Sequence, residues 1–549
     1  MANYTKYALE DYDDYDEDDD YSDQDTPVIA AKTVNKPVQK APVKTPANMD
    51  VLNSKLGKTK IHDVAQQKVV ITEDPGVARK RHDSESHAAD LNQLFINRKK
   101  EMLKCKIKKE TKSRPKSEKD IINIVIAGDV DSGKSTTMGH LLYLSGKVDE
   151  RTHKKNLAEA TNKGKASFAF AWLLDANEEE RDRGVTMGVG KASFDTQNKR
   201  VIILDAPGHK DFIPNMISGA AQGDAAILVL NSTIGEFEKG ISIGGQTTEH
   251  SYLLANLGIK HLIVAANKLD TVNWSKERFN DVSEMLMDSL KESNISFTSV
   301  TFIPISGLKG INLHSKAPNN HPLRKWYNGD CIFEAIDKIR NPESHKSNKL
   351  RVVISSIIGV TDKSITASCK IISGHLEAGM QVYIIPSIHP CKIKCVDSDE
   401  FLSGSGTYYA GDQVVATIVG KLDEIQMSAG LSLCSGGEDA LVPVSKFVAK
   451  IVLSGVKIPI ISGVKVEIFS HSLWAPCTIK KLYATMEPNS YIVKAKSPRL
   501  LRPHDSALVE IETEFPVNLE PFKLCEAFGR FTLRHNGETI GSGIVELTD

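Results

Sequence analysis

Apolar residues in the middle of the chain fall in short dense runs, not helical stripes. IINIVIAG (121–128), VIILDAP (201–207), AAILVLN (225–231), HLIVAANK (261–268) and VTFIPIS (300–306) are nearly all apolar and rich in β-branched residues. Such runs mark parallel strands buried on both faces, and helical patterns fill the intervals between them. Residues 121–340 therefore predict a doubly wound α/β domain with a mostly parallel sheet and its ligand at the carboxyl ends of the strands. RNPESHKSNK (340–349) is polar, contains a proline and reads as a linker. After it the helical period stops. LRVVISSIIGV (350–360), MQVYIIPS (380–387) and DQVVATIVG (412–420) read as strands separated by turn residues. KFVAKIVLSG (446–455), VKVEIFSH (464–471), ALVEIETEF (507–515) and SGIVELT (542–548) form a second set. The two sets predict two small β-barrels, over 349–441 and 443–549.

Residues 1–120 carry neither period. Glu10 to Tyr21 interleaves acid with tyrosine, and 26–60 is rich in Pro, Val, Lys and Thr. Such composition buries too little apolar surface to offset chain entropy, so a largely disordered extension is expected. A short helix is expected near 88–110, with Leu91, Leu94, Phe95, Met102 and Leu103 as a weak apolar stripe. From Arg98 to Lys119 the chain is strongly basic, which reads either as a solvated linker or as an arm meeting ribosomal RNA phosphates.

The chain has 549 residues, 40% hydrophobic and 25% charged, with a net charge of −1. That length suits about three domains plus tails, and the net charge gives no global field for nucleic acid. The eight cysteines are scattered; Cys391 and Cys395 are the nearest pair and lack a second pair to complete a metal site. Reduced thiols are expected. The N-terminus is acidic, not basic then apolar, and no run approaches the roughly 20 apolar residues of a membrane helix. A cytoplasmic location is the expectation.

Four motifs carry chemistry. Gly128-Asp129-Val130-Asp131-Ser132-Gly133-Lys134-Ser135 follows the first strand and opens a helix that continues through Thr136. This pattern is a phosphate-binding loop: glycines let backbone N–H groups curl around phosphate, Lys134 supplies a point charge, and the Ser135 hydroxyl ligates Mg²⁺. Asp205-Ala-Pro-Gly208-His209 ends the VIILD strand; Asp205 is expected to reach Mg²⁺, Gly208 to approach the γ-phosphate, and His209 to orient attacking water. Asn267-Lys268-Leu-Asp270 follows HLIVAA. Asp270 accepts from guanine N1–H and N2–H, a donor pair that adenine lacks, and Ser306-Gly307-Leu308 closes the base pocket with N–H groups at guanine O6. Arg183-Gly-Val-Thr186-Met places Thr186 where a switch loop completes Mg²⁺ coordination only while the γ-phosphate is present. GTP/GDP and Mg²⁺ are the ligands these motifs imply. Gly244-Gly245-Gln246 resembles a release-factor tripeptide but opens GGQTTEH, a helix start, and is read as structural.

With these motifs assembled, residues 121–549 resemble the elongation factor 1-alpha superfamily of translational GTPases. Within it the chain is most similar to HBS-type ribosome-rescue GTPases, the partners of Pelota. Three features carry that choice: Gly-Val-Thr-Met within SFAFAWLLDANEEERDRGVTM (167–187), the long extension with an acidic start, and FGRFTLRHNGETIGSGIV (528–545). The last also fits plain barrel strands. The resemblance implies that Val130 and Val185 gate His209, that Asp131 helps bind phosphate through a cation, and that the barrels hold a Pelota-type factor on the ribosome. It implies a monomer outside that complex. Asp129, Gly188 and Ile311 depart from the family pattern, where His, Asp and an acidic residue are usual; affinity and switching speed are the properties these departures touch. The alternatives are a release-factor GTPase subunit, an elongation factor 1-alpha-like aminoacyl-tRNA carrier, or a nucleotide-binding scaffold that does not hydrolyse.

Overall fold

The computed structural model describes residues 96–105, 119–174, 178–183, 186–242, 245–293, 295–340, 349–361, 363–398, 406–420, 428–454, 459–487, 490 and 492–548. The extension before residue 96, and with it most of the expected disorder and part of the expected helix, lies outside them.

Six strands form the first sheet: β1 (Asp120–Ala127), β2 (Gly190–Asp195), β3 (Lys199–Asp205), β4 (Ala225–Asn231), β5 (His261–Asn267) and β6 (Ser299–Pro304), in the order β2-β3-β1-β4-β5-β6. All pairings are parallel except β2 with β3. The helices are α1 (Lys134–Leu144), α2 (Glu150–Asn162), α3 (Glu178–Arg183), α4 (Ile213–Ala220), α5 (Glu236–Ile241), α6 (Gln246–Asn256), α7 (Lys276–Glu292) and α8 (Ile332–Lys338). They cover both faces, as apolar runs in parallel strands require. Alternation along β1 serves the two layers: Ile122, Ile124 and Ile126 pack with Met138 and Leu141 of α1 and Ile336 of α8. Val125 and Ala127 pack with Met216 of α4, Leu254 of α6 and Leu286 of α7 on the other side. The edge strand β2 (GKASFD) carries few apolar residues and was not visible as a run.

The second body is a closed barrel, in the order β10-β11-β13-β8-β7-β14. Its strands are β7 (Arg351–Thr361), β8 (Ser364–Ser373), β10 (Gln381–Ile385), β11 (His389–Ser398), β13 (Gln413–Gly420) and β14 (Ser432–Cys434), with a side ribbon of β9 (His375–Glu377) and β12 (Thr407–Tyr409). The third is built on β15 (Val444–Leu453), β17 (Lys465–Ser470), β18 (Leu473–Met486), β21 (Ser506–Val517), β22 (Arg530–His535) and β23 (Glu538–Thr548). Pairing of β17 with β18 closes this ring; β19 (Val493–Lys496) hangs on the outer edge of β18, and β16 (Ile460–Ile461) pairs with β20 (Leu500–Leu501). Both barrels keep the period-2 rule, with apolar residues inward.

Two kinds of seam join the bodies. Between the barrels, Arg351 is buried and grips Glu520 with two bonds, Nε to Oε1 at 2.8 Å and Nη2 to Oε2 at 3.0 Å. Val353, Ile385, Leu441 and Phe528 pack beside that pair. Residues 96–104 are helical and insert Met102, fully buried, into the same cluster, while Leu103 stays exposed. Between the first body and the barrels the contacts are mainly polar. Asn123 donates to the Gly411 carbonyl and accepts from Gln413. Lys370 donates to Asp224 at 3.2 Å and to the Gln222 carbonyl. Lys191 meets Ser368, Ser218 meets Ser472, and Thr539 meets Glu249.

Candidate nucleotide site

The phosphate loop turns tightly between β1 and α1. Asp131 (φ 56°) and Gly133 (φ 85°) adopt the left-handed region, which bends the chain sharply between strand and helix. A side chain at Gly133 would meet Asn267 Nδ2 at 2.5 Å, so only glycine lets the loop close on β5. Lys134 is buried, and its ammonium folds back over the loop, donating to the Gly128 carbonyl at 3.0 Å and the Asp129 carbonyl at 2.7 Å. Ser132 braces the turn by donating to the Asp129 carbonyl. Val130 is half-buried and Asp131 exposed. The Asp129 carboxylate accepts from the Val130 N–H at 2.7 Å; burial pushes that carboxyl up, opposed by this bond and by Lys134. No acidic residue stands in the first turn of α1, so its positive end faces the loop.

Asp205 ends β3 beneath this loop, fully buried; among the described residues neither carboxylate oxygen meets a hydrogen-bond partner. Burial pushes it up to about 6, with the nearby Ser135 hydroxyl and Lys134 pulling down. A buried carboxylate without a partner is costly and asks for a cation. The Ser135 hydroxyl lies 3.1 Å from the Thr186 hydroxyl, so two oxygen donors share that corner. Hard oxygen ligands of this kind suit Mg²⁺. Among the described residues no cluster of three or more His, Cys, Asp or Glu forms another metal site. A side chain at Gly208 would fall 2.3 Å from Lys134 Nζ, which places the 205–209 backbone directly against the phosphate lysine. His209 follows at the rim, partly exposed, its Nδ1 accepting from the Asp211 N–H at 3.3 Å.

The base side is held by Asn267. Its Nδ2 donates to the Ser132 carbonyl at 2.8 Å, and its Oδ1 accepts from the N–H groups of Lys268 (2.8 Å) and Gly307 (2.7 Å). One amide thus ties phosphate loop, β5 and the 306–308 loop. Lys268 is left-handed (φ 60°), which turns the chain so that Asp270 lies in the next short turn, with Lys309 Nζ 4.0 Å away. Ser306 bridges to Ile311, and its hydroxyl accepts from the Lys309 N–H; Leu308 lies exposed at the tip.

The sequence-predicted residues fall in two groups joined by Asn267. Gly128–Thr136, Thr186, Asp205 and Gly208 surround one end, and Lys268, Asp270 and Ser306–Leu308 the other. Val185 and Gly244 lie outside the described residues, so the Val130–Val185 gate is not among the contacts seen. Gly245 caps α6, so the Gly-Gly-Gln segment leads into a helix start.

Several contributors escaped sequence reasoning. Glu180 of α3 is buried, and its Oε1 accepts from the N–H groups of Met187 (2.8 Å) and Gly188 (3.0 Å). Asn215 of α4 donates to the Met187 carbonyl at 2.8 Å. Together they pin the chain just after Thr186. His250 of α6 is fully buried near the loop, held down to about 3 by burial and then by Lys134.

A family model described as the elongation factor Tu GTP binding domain matches residues 119–357, and a GTP-eEF1A C-terminal domain-like model matches 446–546. Elongation factor 1-alpha of Desulfurococcus mucosus is 35% identical over 431 residues, covering 78% of this chain and 96% of that protein. The chain belongs to the elongation factor 1-alpha family of GTPases. Protein HBS1 of Drosophila melanogaster is 40% identical over 428 residues, and the chain spans 63% of its length. The Ski7 GTPase-like domain of S. cerevisiae, solved bound to GTP, superposes with a TM-score of 0.66 at 18% identity, covering 78% of this chain and 98% of that one; it shows the shared fold. Among the described residues of this family member, no helix is long and apolar enough to cross a membrane.

Proposed function

We propose that the chain hydrolyses GTP to GDP and phosphate and delivers a Pelota-type, release-factor-like protein to the A site of stalled ribosomes. What carries the hydrolytic half is the orphaned, buried Asp205 beside the paired Ser135 and Thr186 hydroxyls, under an ammonium already bent over the loop. Ser135, Thr186 and Asp205 are the residues that would hold Mg²⁺, which when bound would supply positive charge to neutralise the phosphates. Lys134 and the loop N–H groups stabilise charge spreading over the γ-phosphate oxygens as the bond to the β-phosphate oxygen breaks. His209 orients the attacking water, whose oxygen forms the new bond to phosphorus. Asp270 and the 306–308 N–H groups select guanine. Among the described residues no arginine finger is evident in cis, so intrinsic turnover is expected to be slow, on the order of 10⁻⁴ to 10⁻² per second, with the ribosome as activator.

The rescue half is supported by the 40% identity to Protein HBS1 and by the Gly-Val-Thr-Met segment at 184–187. Thr186 reports the γ-phosphate; its release on hydrolysis frees the chain pinned by Glu180 and Asn215, loosens the barrels and drops the partner. Affinity purification followed by single-turnover assays with ribosomes tests both halves. Recovery of a Pelota-type factor and ribosome-dependent phosphate release are expected. Recovery of the stop-codon release factor would instead favour a termination role, and absence of phosphate release a scaffold.

A further inference from the structure

His140 has no place in the chemistry above, yet it sits where three parts of the first body meet. It lies in α1, two turns beyond the phosphate loop, and is buried. Its Nδ1 is 2.8 Å from the Gly307 carbonyl. A carbonyl only accepts, so the ring carries its proton on Nδ1. On its flat side the ring stacks on Phe170, centroids 3.9 Å apart and 8° from parallel. Phe170 stacks in turn on His153 of α2, at 4.5 Å and 14°. The 306–310 loop closes around the ring: a side chain at Gly310 (φ 68°) would meet its Cε1 at 2.6 Å. Burial holds His140 at about 4, so the ring is neutral at physiological pH.

We infer that His140 is a positioning residue for guanine recognition, aiming the Leu308 N–H and tying the base loop to the 150–174 segment through Phe170. Peptide geometry supplies the reason. The Gly307 carbonyl and the Leu308 N–H belong to one planar trans unit, so they point in opposite directions. Fixing the carbonyl toward His140 turns the Leu308 N–H away from it, toward the place assigned to guanine O6. The preceding unit is fixed as well, because the Gly307 N–H donates to Asn267. The loop is thus held at both of its peptide planes, by residues 40 and 167 positions distant. The Phe170 stack keeps the imidazole from swinging, so displacement of the 150–174 segment reaches the base.

The inference rests on the guanine reading of Asp270 and Ser306–Leu308, and its test separates the two. Wild-type protein and three variants are titrated with GDP, IDP and 6-thio-GDP. IDP lacks the amino group read by Asp270; 6-thio-GDP keeps that amino group and weakens the acceptor at position 6. His140→Phe keeps the stack and loses the donor. It is expected to release GDP about 2- to 12-fold faster and to lose its preference for GDP over 6-thio-GDP, with GDP over IDP unchanged. His140→Asn keeps an N–H near Nδ1 and is expected to restore the 6-position preference. Phe170→Leu is expected to fall between. A merely structural histidine would weaken all three nucleotides alike, and that outcome in His140→Phe overturns the inference. Phe170→Leu identical to wild type would sever the link to the 150–174 segment. Wild type binding GDP and IDP equally would instead remove the guanine reading itself.

Discussion

Removing Glu520 should strand a charge in the seam between the barrels. Arg351 is 1% exposed, and four of its contacts are hydrogen bonds: two to Glu520, one to the Leu350 carbonyl at 2.9 Å and one to the Asp439 carbonyl at 2.8 Å. Burial works against the guanidinium charge, and the Glu520 bonds more than offset it, leaving Arg351 held above its ordinary range. Glu520→Leu takes away the counter-charge and leaves the cation in an apolar cluster. Breaking such a pair costs about 3–5 kcal/mol. For a two-barrel body of about 200 residues each kcal/mol moves the midpoint by about 2–4 °C, so a fall of roughly 6–20 °C is expected. The two carbonyl bonds that remain place the loss toward the lower end. Arg351→Met with Glu520→Leu removes both charges and should recover most of the loss, because apolar replacements of buried pairs are often neutral. Scanning calorimetry of the four proteins closes the cycle. A shift under about 2 °C for Glu520→Leu, or a double variant melting below both singles, would show that the ion pair does not hold the seam.

Asp270→Asn should weaken GDP about 10- to 150-fold by losing a charge-assisted bond, and should favour xanthine nucleotides; competition binding with XDP measures it, and an unchanged GDP preference would contradict the assignment. His209→Ala should leave GTP affinity within about 2-fold, since the ring lies at the rim, and lower ribosome-activated turnover by about 10²–10⁴; a loss of affinity instead would place His209 among the binding groups. Acid should destabilise the fold through His471, whose Nε2 lies 3.1 Å from the Ala527 carbonyl and which burial and then Lys370 hold at about 4. Its unfolded value is about 6.5, so the contribution is complete above neutral pH and drains away between about 6.5 and 4, removing about 2 kcal/mol by pH 5. Melting temperature followed from pH 7 to 5 should fall less in His471→Gln than in wild type; parallel curves would exclude this residue as the cause.

Local chemistry was the legible part of the chain. The phosphate loop, the Asp205 turn and the Asn267–Asp270 stretch each depend on neighbours in sequence, so type and spacing announce them. The apolar runs of β1 and β3 to β6 were plain for the same reason. β18 was not: Pro476 interrupts it, Lys480 and Lys481 sit side by side, and bulges at 479–481 and 482–484 break the period of two. β2 carries little apolar surface, because it is an edge. Within the site, Glu180, Asn215 and His140 could not be read, since each acts on backbone that only the fold brings near. A glutamate serving two N–H groups, or a histidine serving a carbonyl 167 residues away, leaves no pattern along the chain. Met102 was visible as apolar, but its insertion between the barrels was not.

The two seams have different answers to water. Hydroxyls, amides and the Lys370–Asp224 pair along the GTPase–barrel contact can each exchange their partner for solvent, with Phe469 the one barrel residue in that body's described core. Separation there would expose Phe469 and Tyr252 together with a row of polar groups. Parting the barrels would drag Arg351, Glu520, Phe528 and Met102 into the open together. Among the described contacts, a swing of the nucleotide body would therefore cost less than parting the barrels, and the twin barrels with their helical plug would move together.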